Sequence, residues 1–104
     1  MNINIICVGK LKEDYLKSAI VEYSKRLKRF CKLNIIEIND EKIPDNASKA
    51  EEDKILDTES VQILKHINPS HYNIVLCIEG KALSSEDFSD KLSDAFKNGK
   101  SSVT

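Results

Sequence analysis

Leu76 to Phe88 read LCIEGKALSSEDF: an apolar run, an abrupt Glu-Gly-Lys, then Ser-Ser-Glu-Asp opening a helix. The run belongs to NIVLCI, Asn73 to Ile78, apolar at nearly every position, which suits a strand buried on both faces of a parallel sheet. Ser84 followed three residues later by Asp87 is a cap pattern, in which the hydroxyl accepts from an otherwise unpaired backbone N–H. The helix it opens carries Phe88, Leu92, Ala95 and Phe96 on one face and terminates at Asn98-Gly99. An earlier segment, CVGKL at Cys7 to Leu11, has the same succession of apolar run, Gly-Lys and helix start.

Working outward, NINIICV (Asn2 to Val8) and LNIIEI (Leu33 to Ile38) read as two more strands. Between them Leu11, Tyr15, Leu16, Ala19, Ile20, Tyr23, Leu27 and Phe30 recur at three- and four-residue steps, the apolar stripe of an amphipathic helix. A second helix starts near Asp45 to Ser48, where Ser48 and Glu51 can cap reciprocally. It carries Ile55, Leu56, Ile63, Leu64 and Ile67 inward and stops before Pro69, which disfavours a helical Asn68. The order β-α-β-α-β-α predicts one α/β domain over residues 1–104, an open, doubly wound parallel sheet with helices on both faces joined by right-handed crossovers. After Gly99, Lys100 to Thr104 resemble the opening of a fourth strand, an unusual place for a domain boundary.

Composition narrows the class. With 40% hydrophobic and 32% charged residues, no Trp, and few Gly or Pro among 104 residues, the chain reads as a soluble globular domain, large enough for one core. Three Cys are an odd number, and Cys7 and Cys77 lie in apolar runs where a thiol acts as a small hydrophobe, so reduced cysteines and a cytoplasmic location are expected. No apolar segment approaches the roughly 20 residues of a membrane span, and NINIICV lacks the basic leader of a signal peptide.

In open α/β sheets ligands collect outside the carboxyl ends of the strands, where both Gly-Lys turns are expected. Neither is a P-loop, because VGKL and EGKAL lack the first Gly and the Ser or Thr after Lys that such a loop needs to wrap a phosphate. The three spaced glycines of a dinucleotide fingerprint are absent too. A strand-to-helix turn needing a permissive backbone explains each Gly, and Gly80 can also let a ligand approach closely. His66 and His71 flank an Asn-Pro turn without zinc-site spacing, so no metal is expected.

Charge is polarised along the chain. Residues 10–32 carry eight Lys or Arg against three acids, and residues 37–59 carry three against nine, which reads as a solvated acidic face. Lys25, Arg26, Lys28, Arg29 and Lys32 fall within eight residues free of acids, at a helix C-terminus. The helix dipole accounts for one or two of these cations; five together match the footprint of a nucleic-acid backbone.

Three tracts, MNINIICVGKLKEDYLKSAIVEYSKRLKRF, IIEINDEKIPDNAS and LCIEGKALSSEDF, together resemble the 23S ribosomal RNA pseudouridine N3-methyltransferase family of the SPOUT (α/β-knot) class. The VGKLKE start and the L-x-x-x-GK-x-LSSE tract are specific in combination, and the resemblance covers the whole chain. It implies a homodimer that uses S-adenosyl-L-methionine, held in a trefoil knot at the carboxyl edge of the sheet, and acts on 23S ribosomal RNA or the ribosome. Leu76 matches the family's cofactor-contacting leucine, and Gly80 belongs to the same tract. The chain matches the N-terminal two-thirds of the family and departs from it in lacking, after Thr104, the Gly-rich loop and C-terminal knot with its His, Tyr and Arg groups. The resemblance thus leaves the catalytic residues unknown and leads us to expect little activity from these residues alone. Two other readings stand beside it: a non-enzymatic RNA-binding or interaction fragment using the Lys25 to Lys32 patch without a cofactor, and the product of a shifted reading frame.

Overall fold

Isoleucine and valine alternate with asparagine in NINIICV, and β-branched side chains favour the extended backbone this segment adopts as β1 (Asn2–Val8). The computed structural model describes residues Met1–Thr104. β1 pairs in parallel with β2 (Lys32–Ile38), in register from Asn2↔Lys32 to Val8↔Ile38. The chain leaves β1 at Gly9, whose φ of 87° is easily reached only without a Cβ and whose N–H donates to the Ile38 carbonyl at 2.6 Å. It returns through α1 (Asp14–Leu27).

α2 (Lys49–Leu64) is capped by Ser48, whose hydroxyl accepts from the Glu51 N–H at 3.2 Å. The return bond from the Glu51 carboxylate, the other half of the expected box, is not formed. α3 (Ser85–Lys97) is capped by Ser84, which accepts from the Asp87 N–H at 3.0 Å. It ends as expected at Asn98-Gly99: Gly99 has φ 90° and donates to the Phe96 carbonyl at 3.1 Å, while Lys100 donates to Ala95 at 3.0 Å. A Cβ on Gly99 would meet nothing within 4 Å, so the cost of Gly99→Ala is conformational alone, about 1 kcal/mol. Amide-exchange protection at Ser102 to Thr104, which this cap aims into the sheet, should fall about fivefold; unchanged protection would show that the cap does not position them.

The segment after Gly99 does open a strand, β3 (Ser102–Val103), and it lies inside the sheet, giving the order β2-β1-β3. Asn2 pairs with Ser102 and Ile3 with Val103, while Tyr72 bridges to Val103 from the other side. The strand expected over Asn73 to Ile78 is corrected accordingly. Only its start is paired, through Tyr72 N–H to Ser102, Thr104 N–H to Tyr72 and Ile74 N–H to Thr104 at 2.8–3.0 Å. Val75 to Ile78 have no neighbouring strand, so an apolar run with strand propensity stays unassigned to a ladder.

Ile5, Cys7 and Ile35 line a cavity of about 620 Å³ together with Lys17 and Ile20, which places α1 over the odd-numbered face of β1 and β2. The link from β2 to Tyr72 runs back across β1 and β3, opposite in sense to the step from β1 to β2, and the right-handed rule for such crossovers assigns α2 to the face opposite α1. Helices on both faces are thus as expected.

The interior is smaller than the sequence suggests. Five residues are buried, Cys31, Ile38, Ala95, Ser102 and Val103, and no large side chain is fully enclosed. On α2, Ile55 and Ile63 are half-buried as expected, whereas Leu56 and Leu64 are exposed. Cys7 is half-buried, but Cys77 is exposed, so its apolar run does not make it a core thiol; all three cysteines are free.

Candidate functional site

The chain leaves Tyr72 parallel to β3 and so to β1, which starts the run that ends at Gly80 toward the carboxyl edge where Gly9 closes β1. Gly80 differs from Gly9 in why it must be glycine. Its φ lies outside the left-handed region, but a Cβ there would stand 3.1 Å from the Cys77 carbonyl oxygen and 3.3 Å from Cys77 Sγ. The tight turn, closed by the Gly80 N–H donating to the Cys77 carbonyl at 3.1 Å, requires the missing side chain. This turn therefore spends its N–H internally and does not offer it to a ligand.

Leu76 lies in the run that leads into this turn and is 87% exposed, between Val75 at 81% and Ile78 at 99%. The three form an uncovered apolar surface, one wall without an opposing wall. Ser84 is occupied as a helix cap, which is the structural role expected for it.

The basic cluster lies at the other end of the sheet. α1 runs from the carboxyl edge back to the start of β2, so Lys25, Arg26, Lys28, Arg29 and Lys32 gather at the amino edge. Seven-residue strands separate the two edges by about 20 Å at ~3.3 Å per residue. Arg26 Nε is 3.0 Å from Glu22 Oε1, the one ion pair in the chain, which leaves Lys25, Lys28, Arg29 and Lys32 without an acidic partner.

Sequence periodicity placed Tyr23 and Phe30 on the inward stripe of α1. Both are exposed instead, at 61% and 68%, and both carry a cation: the Arg26 guanidinium lies 5.8 Å from the Tyr23 ring centroid, that of Arg29 5.7 Å from Phe30. The signal that could have found them is their interleaving with the arginines, Tyr23-x-x-Arg26-x-x-Arg29-Phe30.

A polar row crosses the sheet between these edges. Asn34 Nδ2 donates to Asn4 Oδ1 at 3.0 Å, Asn4 Nδ2 to Thr104 Oγ1 at 3.3 Å, and His71 Nδ1 lies 2.8 Å from the same hydroxyl oxygen. His71 is thereby tied to Thr104, the residue after β3, rather than to His66. No group of three or more His, Cys, Asp or Glu side chains is placed to hold a metal ion, and no helix is long and apolar enough to cross a membrane.

The family described as predicted SPOUT methyltransferase matches residues 1–104. Proteins named ribosomal RNA large subunit methyltransferase H are similar over 103 residues: 55% identical in Clostridium novyi (strain NT), 54% in Clostridium botulinum (strain Okra / Type B1) and 53% in a Clostridium kluyveri strain. Each alignment takes in 99% of this chain and 65% of the relative, so the chain spans 65% of the length of the curated relatives it matches. The match from end to end, on a chain that folds as a parallel α/β sheet, places it in the SPOUT methyltransferase family.

Proposed function

We propose that this chain serves an S-adenosylmethionine-dependent methyltransferase acting on N3 of a pseudouridine in 23S ribosomal RNA, working in the cytoplasm as a homodimer. The observation that carries the reading is identity above half, across 99% of the chain, to proteins named for methylation of large-subunit ribosomal RNA. Residues 1–104 form the single α/β unit of this reading. Leu76 and Gly80 belong to the cofactor side, and Lys25, Arg26, Lys28, Arg29 and Lys32 to the RNA side.

Leu76 supplies an apolar surface suited to one face of an adenine, but the Gly80 N–H is already committed to Cys77, and nothing stands opposite Leu76. Small-molecule sites bury most of their ligand between walls. These residues form half a site and do not fit the whole cofactor, so no step of methyl transfer is assigned to them.

Ligand-observed NMR provides the test. S-Adenosylmethionine should bind residues 1–104 weakly, with a Kd no tighter than about 10 µM, in competition with S-adenosylhomocysteine and not with ATP, and Leu76→Asp should abolish the signal. Tighter binding would overturn the half-site reading. Indifference between S-adenosylmethionine and ATP would remove the cofactor assignment.

One observation favours a second reading, a non-enzymatic RNA-binding module: the basic cluster lies at the amino edge, about 20 Å along the strands from the carboxyl edge, and is complete without Leu76. RNA affinity unchanged by saturating S-adenosylmethionine and by Leu76→Asp, with no cofactor binding, would select that reading.

A further inference from the structure

We propose that Tyr23 and Phe30 are base-stacking residues, and that the amino edge of the sheet grips single-stranded RNA rather than duplex. The inference rests on the RNA reading of the basic cluster and names the form of RNA that the cluster takes. Tyr23, Arg26 and Phe30 follow one another at steps of three and four residues, so they lie in one row along the end of α1 and its terminal turn. Phe30 is fixed in that turn, its own N–H donating to the Leu27 carbonyl at 2.8 Å and the following Cys31, which is buried, donating to the same oxygen at 3.0 Å. The backbone under the ring is therefore anchored while the ring stays 68% in solvent.

Chemistry decides what such a row fits. Two exposed rings alternate with guanidinium groups 5.7–5.8 Å from their centroids, and four further or shared cations, Lys25, Lys28, Arg29 and Lys32, surround them without acidic partners. An apolar protein partner would match the rings and not the charge. A duplex would match the charge and not the rings, because its base faces are already stacked on one another. A single strand offers both, a phosphate for the cations and an unstacked base for each ring. Since the row lies at the amino edge, about 20 Å along β1 from the carboxyl edge where open α/β sheets take their ligands, Tyr23 and Phe30 act as positioning residues on nucleotides flanking any methyl acceptor.

The test measures affinity for a nine-nucleotide oligouridine across a salt series, with an RNA duplex of the same length as comparison. Phe30→Ala should weaken the single-strand affinity roughly tenfold, as loss of one stacked base does, with the slope of log K against log salt unchanged. Phe30→Leu keeps an apolar side chain and should lose affinity similarly, which separates the π-face from packing. Phe30→Trp should retain binding and gain a fluorescence signal quenched by the oligomer, the chain having no Trp of its own. Wild-type binding with full salt dependence and no loss in Phe30→Ala or Tyr23→Ala would overturn the stacking role alone. Absence of salt-dependent binding in the wild type would overturn the RNA reading beneath it. Equal affinity for the duplex would overturn the choice of single strand.

Discussion

Between 50 and 200 mM salt, the affinity of this chain for single-stranded RNA should fall about fiftyfold, and in the triple variant Lys25→Ala/Lys28→Ala/Arg29→Ala it should fall only about threefold. The expectation comes from counting free cations. Lys25, Lys28, Arg29 and Lys32 have no acidic partner, whereas Arg26 is held 3.0 Å from Glu22. Four phosphate contacts on a single strand release counterions with a slope of about −2.8 in log K against log salt, and one remaining contact gives about −0.7. Because the Arg26–Glu22 pair is exposed on both sides, it contributes little to stability and can be opened without harm to the helix. Glu22→Gln should accordingly release Arg26 and steepen the slope to about −3.5. Filter binding or fluorescence anisotropy over the salt range checks all three values. A wild-type slope near zero, or a triple variant with the wild-type slope, would remove the cluster from RNA binding.

What was legible in the sequence was what is local. Ser48 and Ser84 cap their helices because a hydroxyl and an N–H three residues later meet in any chain with that spacing, and Gly99 closes α3 for an equally local reason. β1 and β2 are neighbours joined by one helix, so their pairing follows from the order of elements. Asn73 to Ile78 has the composition of a buried strand, yet a strand exists only where another backbone runs beside it. Ser102 to Thr104 run beside its start and pair it as far as Ile74. That fact lies about thirty residues away in sequence and cannot be read from Asn73 to Ile78.

The candidate site was legible to the same degree. The cluster from Lys25 to Lys32 is visible as composition, but periodicity puts Tyr23 and Phe30 inward because it reports that a helix has an apolar stripe, not how wide the surface beneath it is. Beneath α1 only two strands lie alongside, and the stripe overhangs them. The turn at Gly80 is legible from its Gly, though the need there is the 3.1 Å approach to the Cys77 carbonyl and not the sign of φ.

Residues 1–104 in isolation should associate in a concentration-dependent way, with unfolding that is neither sharp nor independent of concentration. A monomer of 11.8 kDa ordinarily leaves about 5,900 Å² accessible, whereas this fold leaves 8643 Å². The radius of gyration, 16.0 Å, likewise exceeds the roughly 13 Å usual for about 100 residues. Covering the apolar part of this excess favours association at ~25 cal/mol per Å², before the entropy lost on association is subtracted. The surface has places to associate: Val75, Leu76 and Ile78 lie on a stretch whose backbone has no strand partner, which invites edge pairing. Sedimentation velocity at rising concentration should therefore show species heavier than 11.8 kDa increasing at the expense of monomer. Val75→Lys with Ile78→Lys should shift that balance toward monomer by placing charges along the open edge, as natural edge strands do. A monomer at all concentrations that melts in one cooperative, concentration-independent transition would refute the argument. Association unaffected by the two lysines would move its seat to the exposed stripe of α1, where Tyr15 and Val21 stand uncovered.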